Sequence, residues 1–342
     1  MHESNSTNIA VLGAGSWGIT LAIHCQKTGH HVKLWEFDPK AAEKLNKERQ
    51  RDEVLKGVKI PRDIHISSDL NDVVQNAHLI ISVVPSHVVR PVFKKLNTVK
   101  TLNTTAVIVN CSKGIENDSL CRISEIAGQE LSHLTASRYA VLSGPSHAEE
   151  VSQDIPTAVV VASKDEAIAR YVQQMLTSKM FRIYRTPDVV GVELGGSLKN
   201  VIAIAAGICD GAGFGDNTKA ALQPRGLAEI ARLGSYFQAN PITFSGLSGI
   251  GDLIVTCMSR HSRNRYVGEQ IGKGKTLDEV LEEMTMVAEG VRTSESVVQL
   301  ANKHKVEMPI CEQVYEILYH NKEAKQALSD LLNREVKPEI WY

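Results

Sequence analysis

The segment ELGGSLKNVIAIAAGICDGAG, residues 193–213, holds a lysine in an apolar setting. From Gly195 to Cys209, Lys199 is the single charged side chain, and Val201, Ile202, Ala203, Ile204, Ala205 and Ala206 follow close behind it. A helix apolar on nearly every face is normally buried, and a lysine is rarely fully buried without a partner. Lys199 can snorkel to the surface along its methylene stem. It can pair with a buried acid, for which Glu193 and Asp252 are candidates, or serve as an acid–base whose surroundings tune its pKa. The adjacent Asn200, the close approach allowed by Gly195 and Gly196, and a cofactor site elsewhere in the chain favour the acid–base reading.

That cofactor site is written in IAVLGAGSWGITLAIHCQKTG, residues 9–29, which puts Gly13, Gly15 and Gly18 in G-x-G-x-x-G spacing. Such a loop between a strand and a helix suits a dinucleotide. Gly13 permits the tight turn, Gly15 lets backbone approach a pyrophosphate, and Gly18 lets helix and strand pack closely. The anion then rests on the helix N-terminus, where free N–H groups and the dipole favour it. A second strand ends about 20 residues on, as the fingerprint requires. Its last residues, KLWEFDP, place Glu36 where an acid would bond both ribose hydroxyls of NAD and repel the extra phosphate of NADP. Phe37 can cover the adenine face. The opposite arrangement, Glu36 in solvent and Phe37 in the core, is equally compatible with the sequence. Lys44, Lys47, Arg49 and Arg51 lie close enough in the chain to reach a 2′-phosphate. The cofactor is therefore NAD or NADP, with a slight lean to NAD from Glu36 and Phe37.

Open parallel sheets bind ligands beyond the carboxyl ends of their strands. Three segments have that placement: SVVPSH after 79–84, NCSKGIE after 106–110, and LSGPSHAEEV after 139–142. The second presents Lys113 beside Gly114, and the third carries Gly144, Ser146 and Ala148. Further on, SGLSGIGDLIVTC sets Asp252 and Thr256 four apart, on one face if the segment is helical. HSRNRYVGE supplies Ser262, Arg263 and Asn264 near a helix start, where an arginine fork beside N-terminal amides suits a phosphate. Arg263 and Arg265 equally suit a solvated basic face. In VAEGVRTSE, Glu289 beside Gly290 reads most simply as the start of a helix. His24, His87, His147 and His261 show no metal-like pairing, and no metal is expected.

The elements that must carry these residues fall into two groups. Up to about residue 186, β-branched strand candidates (9–12, 32–35, 79–84, 106–110, 139–142, 158–162 and 181–184) alternate with helical stretches such as PKAAEKLNKERQRDEVL and LCRISEIAGQEL. That pattern indicates an α/β unit with a largely parallel sheet covered on both faces. After Thr186-Pro187 helical patterns take over, at 189–209, 219–238, 264–272, 276–284, 291–304 and 311–332. The expected division is 1–187, a dinucleotide-binding Rossmann-type unit, and 188–342, an all-helical unit for substrate and catalysis. With 342 residues, 43% hydrophobic, 23% charged and a net charge of −1, the chain reads as a globular cytoplasmic protein. It has no basic excess for nucleic acid, and neither a membrane span nor a secretion signal is expected. Six scattered cysteines lack metal or disulfide spacing.

GAGSWG, NCSKGIE, LSGPSHAEEV, LGGSLKNVIAI, GIGDLIVTC and HSRNR, in this order, resemble the bacterial NAD(P)-dependent sn-glycerol-3-phosphate dehydrogenase family, from about residue 8 to beyond 300. The resemblance implies a Rossmann-type domain followed by a helical domain like the C-terminal part of 6-phosphogluconate dehydrogenase, with the active site between them. It implies interconversion of dihydroxyacetone phosphate and sn-glycerol 3-phosphate for phospholipid synthesis, by a homodimer with a small-molecule substrate. By position, Lys199 matches the proton donor and acceptor, and Lys113 a lysine touching both cofactor and substrate. Gly144 and Ser146 match the substrate loop; Asp252, Ser262, Arg263 and Asn264 match the substrate pocket, beside Asn200 and Thr256. Ser16, Trp17, Ala148, Arg263, Val287 and Glu289 match cofactor contacts. Many bacterial members carry histidine or arginine where Phe37 stands, so NADP preference does not carry over. Two rivals differ in kind. A 3-hydroxyacid dehydrogenase would typically separate its catalytic lysine and asparagine by three residues, whereas Lys199 and Asn200 adjoin. A nucleotide sensor would have no need for Lys113, Lys199, Asp252 and Arg263 together.

Overall fold

The computed structural model describes residues 6–131, 138–284 and 286–339. Its first part is an eight-stranded sheet: β1 (Asn8–Leu12), β2 (His31–Trp35), β3 (His65–Ser67), β4 (Leu79–Ser82), β5 (Val107–Asn110), β6 (Tyr139–Ser143), β7 (Thr157–Ala162) and β8 (Phe181–Thr186). The spatial order is β3-β2-β1-β4-β5-β6-β7-β8. Every pairing is parallel except β6 with β7. Ile9 lies opposite both Val32 and Leu79, so β1 is central and the strand order turns back between β1 and β4. The region beyond the strand ends at that point is the usual ligand position in such sheets.

Side-chain alternation along each strand explains the two cores that flank the sheet. Ile9 and Val11 join Leu79, Ile81, Val107 and Val109 on one face. Ala10 and Leu12 join Ile80, Ile108 and the helix residues Phe93 and Leu96 on the other. The sequence runs located seven strands; β3 is new, because three residues carry no readable alternation. The polar stretch after Pro39 is helical only over Pro39–Glu48, since Arg49 turns left-handed at φ 54°.

A third core belongs to the helices. The helix Val189–Ala212 runs through its middle, and every residue from Leu194 to Cys209 is buried. Its first turn also packs Val189 and Val192 into the sheet's second core, which ties the two parts together. The helix is long and apolar enough to cross a membrane, but 94% of its most apolar window is buried within the protein. Small residues let a second helix, Arg263–Gly272, lie almost backbone to backbone against it. A Cβ on Gly207 would sit 2.0 Å from the Arg265 carbonyl oxygen, and one on Gly268 2.0 Å from that of Ile204.

The remaining α-helices of this helical part are Asp216–Tyr236, Pro241–Phe244, Asp252–Met258, Leu277–Glu283, Glu289–His304, Pro309–His320 and Ala324–Leu332, with a π-helical turn at Leu247–Gly251. The pattern at 311–332 splits in two, because Asn321 adopts φ 54° and ends the first helix. Glu229 supplies a cap across space: its carboxylate accepts the N–H groups of Ile310 at 2.7 Å and Cys311 at 3.2 Å. Burial pushes this carboxyl up to about 7, although the two N–H bonds pull it down. Glu229→Ala leaves two buried donors at a helix N-terminus without partners and should cost about 1–3 kcal/mol in urea unfolding. The folded pKa stands above the ordinary 4.5. Wild-type stability relative to Glu229→Gln should therefore fall as the pH rises from about 4.5 to about 7, because the unfolded state holds fewer protons there.

Candidate active site

The glycine loop has the geometry that a dinucleotide requires. Gly13 has φ +114°, open to glycine at little cost, and its N–H donates to the Trp35 carbonyl at 3.0 Å. A Cβ on Gly18 would lie 1.8 Å from the Gly13 carbonyl oxygen, so the helix Ser16–Lys27 meets β1 only with glycine there. A Cβ on Gly15 would meet nothing within 4 Å, which leaves the space above the helix N-terminus for a pyrophosphate. Ser16 opens that helix, and Trp17 packs against Phe181 with ring centroids 6.3 Å apart. Ala148 opens a short helix nearby, and its carbonyl accepts the Thr20 hydroxyl at 3.3 Å.

At the end of β2, Glu36 is buried and Phe37 is 72% exposed, which reverses the arrangement with Glu36 in solvent and Phe37 in the core. The Glu36 carboxylate accepts Arg51 Nη1 at 2.6 Å. Phe37 stands clear of the sheet, available to cover a flat ring.

Lys199 lies 5% exposed on the long helix, and of the two candidate acids Asp252 is its partner, at 2.8 Å. Glu193 instead serves Arg122, Ser124 and Tyr139, at 2.6–3.0 Å. Lys199 Nζ also meets the Thr256 hydroxyl at 2.5 Å. Asp252 and Thr256 do share a helical face, on Asp252–Met258. From the sheet side, Lys113 in the loop after β5 reaches the other Asp252 oxygen at 2.7 Å. One buried carboxylate therefore bridges two ammonium groups that come from different parts of the molecule.

The electrostatics follow from that sharing. Burial pushes Lys199 down to about 8; Asp252 opposes the shift and Lys113 adds to it. Burial alone would raise the Asp252 carboxyl, but Lys113 and Lys199 outweigh it and hold the group below its ordinary value. His147, at the end of the β6 loop, is lowered first by burial and then by Lys199.

Two of the strand-end loops are locked to the helical side. Gly114 donates its N–H to the Ser197 hydroxyl at 2.8 Å, one helical half-turn before Lys199. A Cβ on Gly196 would meet the Ser143 hydroxyl at 2.6 Å, and one on Gly195 the Ser248 carbonyl oxygen at 2.6 Å, so the glycine pair does bring neighbours close. In the β6 loop Gly144 has φ +141°, and the Ser146 hydroxyl donates to the Gly144 carbonyl at 3.1 Å. Asn200 is buried beside Gly290, whose missing Cβ would lie 2.7 Å from the Asn200 carbonyl oxygen.

Ser262 caps the helix Arg263–Gly272 by accepting the Arg265 N–H, and Asn264 accepts the Gly290 N–H at 2.8 Å. Arg263 is exposed at that N-terminus and donates to the Val287 carbonyl at 2.9 Å. Arg265 points elsewhere, to Asp210 at 2.6 Å. Glu289 begins a helix, and it also accepts both the N–H and the hydroxyl of Ser86 in the loop after β4. Burial raises its carboxyl.

Several contacts carried no mark in the sequence. Ser143 and Ser197 lie inside the segments LSGPSHAEEV and LGGSLKNVIAI, but their contacts exist only in the fold. Ser86 lay within a strand-end segment, but its partner is 203 residues away. A cavity of about 940 Å³ lies at the far end of the helical core, among Ile208, Leu222, Glu229, Ile310 and Val314, and holds none of these groups.

Known proteins supply an independent comparison. The sequence profile of the NAD-dependent glycerol-3-phosphate dehydrogenase N-terminus matches residues 8–169, and that of its C-terminus residues 188–329. The glycerol-3-phosphate dehydrogenase [NAD(P)+] of Chlorobium phaeobacteroides is 50% identical over 333 residues, which cover 97% of this chain and 99% of that protein. The protein of the same name from Citrifermentans bemidjiense is 51% identical over 331 residues, 97% and 98% of the two chains. The crystal structure of glycerol-3-phosphate dehydrogenase from Coxiella burnetii superposes with TM-score 0.91 at 36% identity, covering 96% of this chain and 99% of that one. A D-mandelate dehydrogenase shares the fold with TM-score 0.61 at 13% identity. With both profiles matched in order and half of all positions identical across nearly the whole length, this chain belongs to the NAD-dependent glycerol-3-phosphate dehydrogenase family.

Proposed function

We propose that the chain interconverts dihydroxyacetone phosphate and sn-glycerol 3-phosphate with NAD or NADP, in the cytoplasm, and so supplies glycerol 3-phosphate for phospholipid synthesis. The observation that carries this reading is the buried Lys199–Asp252–Lys113 group at the carboxyl edge of a sheet that also carries the glycine loop. Residues 1–187 form the nucleotide unit and 188–342 the substrate unit, and a homodimer would pair through the helical side.

When bound, the nicotinamide supplies or receives the hydride. The protein's part is to manage the oxygen of the reacting carbon. Lys199 as ammonium stabilises charge growing on that oxygen and donates the proton; as amine it takes the proton from the alcohol. A pKa of about 8 lets the group hold either state near neutral pH, which suits a reversible reaction. Asp252 orients Lys199 and Lys113 together, and Lys113 lies on the sheet side, where it can touch both ligands. Gly144, Ser146 and Asn200 border the same space. Arg263 and the N-terminal amides of its helix take the phosphate, with the amide nitrogen of Asn264 left to donate. Ser16, Trp17, Ala148, Val287 and Glu289 border the nucleotide.

Lys199→Ala should lower turnover in both directions by about a hundredfold or more, with NADH affinity retained. Near-normal turnover would remove Lys199 from its role. In the wild type, ketone reduction needs the ammonium and should fall as pH rises through about 8, whereas glycerol 3-phosphate oxidation needs the amine and should rise through the same value. Asp252→Asn removes the group that holds the lysine pKa up, so both profiles should move to lower pH. The same change leaves two cations without their carboxylate and should cost about 3–5 kcal/mol of stability. Arg263→Ala should raise KM for dihydroxyacetone phosphate about tenfold or more, with little effect on unphosphorylated dihydroxyacetone. Faster turnover of 3-hydroxyacids than of glycerol 3-phosphate would overturn the substrate assignment.

A further inference from the structure

The carboxyl end of β2 holds a charge arrangement beyond what a dinucleotide fingerprint requires. Glu36 is 5% exposed, and its Oε2 accepts Arg51 Nη1 at 2.6 Å. The same nitrogen donates to the Ala14 carbonyl at 3.0 Å, inside the glycine loop. Arg51 thus spans from the acid at the ribose position to the loop at the pyrophosphate position. Its Nε lies 3.4 Å from Glu53, and its side chain is 27% exposed. Arg49 and Lys44 do not share this placement. Arg49 turns to the Ile64 carbonyl at 2.7 Å and to Asn46, and Lys44 lies 3.9 Å from Glu48.

An acid at this point favours the ribose 2′-hydroxyl and opposes a 2′-phosphate, while a nearby arginine accommodates the phosphate. Here both are present and already bonded to each other. A guanidinium has five N–H donors in a planar fork, so Arg51 can hold Glu36 and Ala14 and still offer an edge to a phosphate. Glu36 in turn keeps oxygen lone pairs for a hydroxyl.

We propose that Arg51 is the specificity-determining residue of the nucleotide site: bridged to Glu36, it offsets the carboxylate charge so that one pocket accepts both NAD and NADP. With NAD, Glu36 receives the ribose hydroxyl while Arg51 stays on the carboxylate. With NADP, Arg51 lies between carboxylate and 2′-phosphate and binds both. This inference rests on the nucleotide reading above and adds the residue that sets the choice.

The test is direct nucleotide binding without substrate, by calorimetry, using NADH and NADPH with the wild type, Arg51→Gln, Arg51→Lys and Glu36→Gln. Arg51→Gln should weaken NADPH about 30-fold or more and change NADH less than about threefold. Glu36→Gln should act in reverse, weakening NADH and tightening NADPH. Arg51→Lys, which keeps the charge without the fork, should recover part of the NADPH affinity if Arg51→Gln folds poorly. Raising salt should weaken NADPH more than NADH in the wild type. Equal weakening of both nucleotides by Arg51→Gln would overturn the proposal and make Arg51 a brace for the glycine loop. An unchanged affinity ratio in all variants would overturn it as well. Failure of the wild type to bind either nucleotide would instead strike the dehydrogenase reading itself.

Discussion

One buried carboxylate bridging two ammonium groups is the constraint around which the molecule is arranged. Removing ions from water costs several kcal/mol each, and the return depends on close geometry and on hydrogen bonds that satisfy what remains. Asp252 meets that condition, with Lys199 at 2.8 Å, Lys113 at 2.7 Å and Thr256 beside them. The charges come from three places: a loop at the sheet edge, the middle of a 24-residue apolar helix, and the first turn of a short helix that faces it. Any shift of the sheet against the helices would separate Lys113 from Asp252 and leave charge uncompensated. The relative position of the two parts is thereby tied to the chemistry of the site.

The surroundings serve the same end. The long helix is apolar because water must be kept from the lysine if its pKa is to fall to about 8. Glycines let its neighbours come close: Gly207 and Gly268 let the helix Arg263–Gly272 lie against it almost backbone to backbone, and Gly195 and Gly196 lie against Ser248 and Ser143. Loops from the sheet are locked to the helical side by single bonds across long sequence distances, Gly114 to Ser197 and Ser86 to Glu289.

The nucleotide end follows a different logic. Lys199 has its partner and its environment supplied entirely by the protein. At the β2 end, by contrast, the buried Glu36 and the partly exposed Arg51 hold each other and leave part of their bonding capacity for a ligand. A buried group in the first place tunes acidity, and in the second a buried carboxylate reached by a partly exposed arginine bears on which charge is welcome.

The sequence alone determined whatever depends on local pattern. Glycine spacing after an apolar strand specified the nucleotide loop, and continuous β-branched runs specified a largely parallel sheet covered on both faces. A lone lysine in a small-residue helix marked a charge that needs a partner, because burial of charge is costly enough to be informative by itself. Tertiary structure decided everything that depends on which distant groups meet. Glu193 and Asp252 were equal candidates for Lys199 until packing sent one to Arg122 and brought the other to the lysine. Glu36 and Phe37 could each have faced either way, because a residue at a strand's end is no longer held to the alternation of the pleat. Strand β3, the break at Asn321 and the contacts of Ser86, Ser143 and Ser197 left no trace in the chain. Each rests on a few residues, whose conformation is set by neighbours far along the sequence.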